Sequence, residues 1–340
     1  MRWAAQTADA DDGGLPGLDR AGLVRTTTTP DFEGITFHEV LARSALNALP
    51  EAAQLPFKYT VNTMRGCSHA CRYCFARPTH EYLELNPAGD FDSQLVVKLN
   101  VAAVLRKELR RRSWRRETVA LGTNTDPYQR AEGRYRLMPG VISALAESGT
   151  PISILTKGTL LRRDLPLLRA ARAAVDVQLG VSLAMLDDAL ATQLDPGAPS
   201  PRARLELVGA LAEAGFAPHV MVAPVVPYLT DDTAQLDELL GALAAAGAAR
   251  VTALPLHLRG ATREVFFDWL GRTHPALLRH YRSLYSRGGY VRPEYSARLR
   301  EKMAPLVARH GLARPVRTAP ADLVSRSRPP AITEPALTLF

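Results

Sequence analysis

The feature that most constrains the fold is an alternation, sustained through most of the chain, between short β-branched runs and longer segments with helical apolar spacing. Strand-like runs fall at residues 57–62, 118–122, 151–156, 175–182, 219–223 and 250–255. Helix-period segments lie between them at 93–112, 139–147, 165–173, 203–214 and 232–246, and 262–286 reads as a sixth helical region. Strands joined by crossover helices lie parallel, and parallel sheets in such alternation are doubly wound or barrel-like. Gly149, Gly215 and Gly247 each sit just before a strand-like run, the expected punctuation of a helix end. Ahead of this body the spacing predicts a strand at 34–40 and a helix at 41–49, and behind it a helix at 294–310. The expected organisation is a disordered leader over 1–33, a β/α domain over 34–310 and a Pro-rich extended tail over 311–340.

Bulk properties exclude several classes. With 46% hydrophobic and 22% charged residues, the chain has the composition of a soluble globular protein. Its longest weakly polar run, residues 239–249, is too short to span a bilayer, and the first residues lack an apolar core of signal-peptide length. A cytoplasmic location and no membrane partner are expected. The net charge of +8 comes almost wholly from arginine, with lysine only at Lys58, Lys98, Lys107, Lys157 and Lys302. Nucleic acid is therefore a partner to weigh, but net charge speaks to association and not to a specific site. The run at 106–116 (RKELRRRSWRR) looks like a solvated face. Val101, Val104, Leu105 and Leu109 form one apolar stripe that turns the arginines outward.

Cys67, Cys71 and Cys74 are the chain's only cysteines, an odd number in a CxxxCxxC spacing. That argues against a disulfide framework and for a metal or cluster site. A cubane iron–sulfur cluster normally takes four thiolates, one per iron. Three protein ligands leave one metal position open, the logic that separates catalytic from structural metal sites. Zinc would need His69 or His80 as a further ligand, and the usual paired Cys or His motifs are missing. His69 reads as a solvent-facing loop residue. The strand-like run at 57–62 leads directly into the cysteines, placing them at the carboxyl edge of the sheet, where such folds build active sites.

CxxxCxxC with Tyr73 before the third cysteine resembles the radical S-adenosylmethionine (SAM) superfamily. The strings CFARPTHEYL, LGTNTDPYQ, LTKG and VAPVVPYLTD narrow the resemblance to the spore photoproduct lyase-like group of uncharacterised radical SAM proteins, of actinobacterial type. The resemblance implies a partial (β/α)6 barrel holding a [4Fe–4S] cluster on the three cysteines. It also implies reductive cleavage of S-adenosyl-L-methionine to a 5'-deoxyadenosyl radical, with electrons from a low-potential donor of flavodoxin or ferredoxin type. Cofactor contacts are then expected at Tyr73, Thr123, Thr125, Asp126, Lys157 and Ser182, and small residues at Ala223 and Pro224 would let the adenine approach. Two alternatives stand beside this: a DNA photoproduct repair lyase, and a non-catalytic iron–sulfur or zinc protein that binds nucleic acid. True photoproduct lyases use a further cysteine to return hydrogen to the product, and here none is left over.

Overall fold

The computed structural model describes residues 22–50 and 55–313. Among them run eleven strands: β1 (Leu23–Thr28), β2 (Thr36–Val40), β3 (Leu46–Ala48), β4 (Tyr59–Val61), β5 (Met64–Arg65), β6 (Gln94–Lys98), β7 (Val119–Leu121), β8 (Ile152–Thr156), β9 (Val177–Ser182), β10 (His219–Val225) and β11 (Arg250–Pro255). The main sheet has the order β11-β10-β9-β8-β7-β4-β3, and every pairing from β4 to β11 is parallel. Only β3 runs antiparallel, against β4. Six parallel strands in sequence order, with helices between them and, among the described residues, no pairing of β11 back to β3, make a partial (β/α)6 barrel. All six strand-like runs read from the sequence therefore become neighbours in one sheet.

Parallel strands covered by helices bury both faces, and Val119, Ala120 and Leu121 of β7 are all buried. The helix Val101–Leu109 buries Val101, Leu105 and Leu109, and Met138–Glu147 buries Val141, Ile142 and Leu145 into the same core. Each fully buried aliphatic side chain of this kind contributes about 2 kcal/mol. Several helices start on a side-chain cap. Ser200 accepts from the Ala203 amide and Asp232 from the amides of Ala234 and Gln235. Arg110, Arg111 and Arg112 are exposed, at the helix end that leads to the amino edge of β7, away from the cysteine loop.

Three expectations are corrected. The helix expected at 93–112 is split, because Gln94–Lys98 forms β6 between β2 and β5 in a second, four-stranded sheet (β1-β2-β6-β5). Leu95, Val96 and Val97 satisfy either period, and pairing with β2 on one side and β5 on the other decides for the strand. The stretch at 41–49 contains β3 in place of a helix. Its Ala45 and Leu46 amides donate to the buried Glu108 carboxylate at 3.0 and 2.8 Å, which takes them out of any helical ladder. The helical region at 262–286 breaks at His274-Pro275 into Ala261–Thr273 and Leu278–Leu284. Of the leader, residues 1–21 lie outside the described residues, while 23–28 are β1. Of the tail, 314–340 lie outside them as well, and Ala313 bridges Arg250 of β11.

Gly122 closes β7 at φ +100°, where a Cβ would stand 1.9 Å from the Leu155 carbonyl oxygen. Gly34 has φ +75° with nothing within 4 Å. Gly122→Ala should therefore destabilise the protein by about 3 kcal/mol or more, and Gly34→Ala by about 1 kcal/mol. Thermal unfolding of the two variants checks this, and equal losses would contradict the packing argument.

Candidate active site at the carboxyl edge of the sheet

The cysteine loop begins where the chain leaves the barrel after β4, pairs briefly as β5 in the second sheet, and turns back through Gly66. Gly66 has φ +80°, and a Cβ there would stand 2.7 Å from both the Phe91 carbonyl oxygen and Leu95 Cδ2, so only glycine fits. The loop after β7 grips this turn. Thr125 Oγ1 donates to the Gly66 carbonyl at 2.6 Å, Gln129 Nε2 donates to the same oxygen at 3.2 Å, and Gln129 Oε1 accepts from the Ser68 amide at 2.8 Å.

Arg77 holds the far side. Its guanidinium is fully buried and donates to the carbonyls of Cys71 (3.2 Å), Ala70 (3.3 Å) and Ala88 (2.9 Å), and to Asp92 Oδ1 at 3.0 Å. The loop before the helix Pro201–Glu213 closes over the cysteines. Gly197 donates to the His69 carbonyl at 3.1 Å, and a Cβ on it would meet the Ser68 carbonyl at 1.9 Å. Thr262 Oγ1 donates to the Cys74 carbonyl at 2.7 Å, tying in the last barrel helix.

The three thiols are free, with Cys67 and Cys71 buried and Cys74 half-buried. Burial, together with the charge of Asp195, pushes the Cys71 thiol well up. Burial and the neighbouring Cys67 push Cys74 up to about 11. Among the described residues, no group of three or more His, Cys, Asp or Glu could hold a single metal ion. A cubane asks for something different, one thiolate at each of three irons. Three free thiols on one clamped loop supply that donor set, and they fit it.

Lys157, just past β8, reaches this loop. Its ammonium lies 3.3 Å from Cys71 Sγ, 2.5 Å from the Tyr73 hydroxyl and 2.7 Å from Asp195 Oδ2, and 4.7 Å from the centre of the Tyr73 ring. Burial alone would lower Lys157, but Asp195 holds it charged and well above the usual range. Asp195 is buried and also accepts from Arg204 Nη1 at 3.1 Å. Burial would raise its carboxyl, and the two cations hold it below the usual carboxylate range.

The expected site residues share one edge, in two groups. Tyr73 and Lys157 border the Cys71 side, and Ser182 joins them through Arg204: Ser182 Oγ donates to the Ala223 carbonyl at 3.4 Å, and the Ser182 carbonyl accepts from Arg204 at 3.5 Å. Thr123, Thr125 and Asp126 follow β7 and engage the protein itself. Thr123 Oγ1 donates to Asn62 Oδ1 at 3.3 Å. Asp126 accepts from Thr156 Oγ1 (2.5 Å) and from the amides of Lys157 (2.7 Å) and Tyr128 (2.9 Å), with His69 Nδ1 at 3.4 Å.

His69, expected in solvent, is buried; desolvation opposes its charge, yet Cys67 and Asp126 raise it to about 10. His80 Nε2 lies 2.9 Å from the Gln94 carbonyl oxygen on the second sheet. Sequence reasoning missed Arg77, Gln129, Asp195 and Arg204. Arg77 and Gln129 left a signal, because both fall inside the strings CFARPTHEYL and LGTNTDPYQ that carry the resemblance. Asp195 and Arg204 lie more than a hundred residues away, and only the fold brings them to the loop.

The family model of the radical SAM superfamily matches residues 61–240. The chain belongs to that superfamily. Uncharacterised proteins of Mycobacterium tuberculosis and Mycobacterium bovis are 63% identical to it over 327 residues, covering 95% of this chain and 96% of theirs. An uncharacterised protein of Methanocaldococcus jannaschii is 25% identical over 175 residues, 51% of this chain and 62% of its own length. Among solved structures, a spore photoproduct lyase variant superposes with TM-score 0.61 at 17% identity, covering 81% of this chain and 79% of its own. A second variant of that lyase, with bound AdoMet and dinucleoside spore photoproduct, gives 0.61 at 16% identity and the same coverage. At these identities the likeness is one of fold. Among the described residues, no helix is long and apolar enough to cross a membrane.

Replacing Arg77 by Met would remove one donor each from the carbonyls of Ala70, Cys71 and Ala88, and would leave Asp92 without its cation. Arg77→Met should cost about 1–3 kcal/mol, read as a fall in Tm with faster amide exchange concentrated in residues 67–77. Unchanged exchange in that loop would show that the guanidinium does not hold it.

Proposed function

We propose that this protein is a radical SAM enzyme in which Cys67, Cys71 and Cys74 hold a [4Fe–4S] cluster and S-adenosyl-L-methionine is reductively cleaved. The observation that carries this is the set of three free thiols on one clamped loop at the carboxyl edge of a partial barrel, with no other cysteine in the chain. When bound, cluster and cofactor together supply one electron and the carbon–sulfur bond whose cleavage gives the 5'-deoxyadenosyl radical.

The protein's own residues place and enclose these groups. Lys157 brings a buried ammonium to the Cys71 side, where its three donors meet Cys71 Sγ, the Tyr73 hydroxyl and Asp195. A cofactor carboxylate would take one of these donors in exchange, a charge-assisted contact. Tyr73, Thr123 and Ser182 supply an aromatic face and two hydroxyls along the same edge. Thr125 and Asp126 act one step further back: Thr125 fixes Gly66, and Asp126 joins the ends of β7 and β8 through Thr156 and the Lys157 amide. Gly197 packs directly on the backbone of Ser68 and His69 and covers the amino-terminal half of the cysteine loop. The electron donor is of the low-potential flavodoxin or ferredoxin type. A photoproduct repair reaction that returns hydrogen through a cysteine has no thiol to use here, because all three cysteines are assigned to the cluster.

Anaerobic reconstitution with iron and sulfide, followed by dithionite and S-adenosyl-L-methionine, should yield 5'-deoxyadenosine by mass spectrometry. Replacing the three cysteines by Ala should remove both iron and product. Iron retained without the cysteines, or a loaded protein that forms no 5'-deoxyadenosine, would overturn the proposal.

A further inference from the structure

Two of the buried cations around the cysteine loop each have a carboxylate of their own. Arg77 has its own carboxylate, Asp92 at 3.0 Å, and His69 has Asp126 at 3.4 Å. Lys157 and Arg204, in contrast, share one oxygen of Asp195, at 2.7 and 3.1 Å. All three side chains are buried, and the other oxygen, Asp195 Oδ1, is buried without a hydrogen-bond partner. Two cations on a single carboxylate leave one uncompensated positive charge, and its nearest sulfur is Cys71 Sγ, 3.3 Å from the Lys157 ammonium. Charge in such a buried setting is little screened by water.

We infer that Asp195 and Arg204 are positioning residues that hold Lys157 against the Cys71 sulfur, and that the triad sets the reduction potential of the cluster carried there. This rests on the cysteine assignment above. A cubane on three thiolates gains one negative charge when it accepts one electron from its donor. A hydrogen-bonded cation at a ligand sulfur stabilises that reduced form more than the oxidised one, since hydrogen bonds to sulfur and local net charge tune such potentials. Asp195 has two opposing effects: its own charge disfavours reduction, while its grip keeps the ammonium in place. The Tyr73 hydroxyl and ring supply a second restraint on the same ammonium.

The charge account makes predictions of opposite sign, which a purely structural role does not. Reconstituted wild type, Lys157→Met, Lys157→Arg and Asp195→Asn are titrated with dithionite and followed by electron paramagnetic resonance before any S-adenosyl-L-methionine is added. Lys157→Met should move the midpoint potential to more negative values, Asp195→Asn to more positive ones, and Lys157→Arg should stay near wild type. Midpoints that coincide, or that move in the same direction for Lys157→Met and Asp195→Asn, would overturn the inference while leaving the cluster assignment intact. If Asp195→Asn does not fold, Arg204→Gln takes its place and should shift in the same direction as Lys157→Met; no shift overturns the inference. A wild-type protein that assembles no cluster overturns the cysteine assignment itself, and the inference with it.

Discussion

The site depends on a single buried guanidinium. Arg77 donates to the carbonyls of Ala70 and Cys71 within the cysteine loop and to Ala88 beyond it, while Asp92 neutralises it. Turn bonds within the loop serve the carbonyls of Cys67, Cys71 and Cys74, and Arg77 adds side-chain donors at Ala70 and Cys71 that tie these turns to Ala88 and Asp92. Arginine suits this, because its planar fork carries several donors in fixed directions and stays charged when buried. With that side in place, Thr125 and Gln129 need only hold the opposite end at Gly66.

The second sheet is part of the same arrangement. β5 departs from the barrel immediately before the cysteines and pairs with β6, and the Phe91 carbonyl ahead of β6 accepts from the Cys67 amide at 3.1 Å. The loop is thus suspended between the barrel edge and a four-stranded sheet. Membership of the radical SAM superfamily gives this geometry its chemical setting. The spore photoproduct lyase likeness adds the fold, and at 17% identity the substrate is not carried with it.

The barrel was legible in the sequence because its strands are short β-branched runs between segments of helical period, and both signals are local. The cysteine spacing was legible for the same reason. What escaped was decided by partners distant in the chain. Leu95, Val96 and Val97 fit a helix or a strand equally well until β2 and β5 flank them. His69 looked like a solvated loop residue because nothing adjacent in sequence announces Asp126 beside it. Asp195 and Arg204 are an ordinary aspartate and an ordinary helical arginine until Lys157 arrives from β8. Asp126 was legible as a site residue by position, but its donors lie on the next strand end, and they show a carboxylate that joins two strands.

The central claim is that three thiolates leave one iron available to the amino-acid end of S-adenosyl-L-methionine. Electron–nuclear double resonance on the reduced, reconstituted protein tests it most directly, using cofactor labelled with 15N at the amino group or 17O at the carboxylate. The account predicts resolved hyperfine coupling from these labels to the cluster. A reduced cluster whose spectrum is unchanged by either label, with cofactor bound, would contradict it.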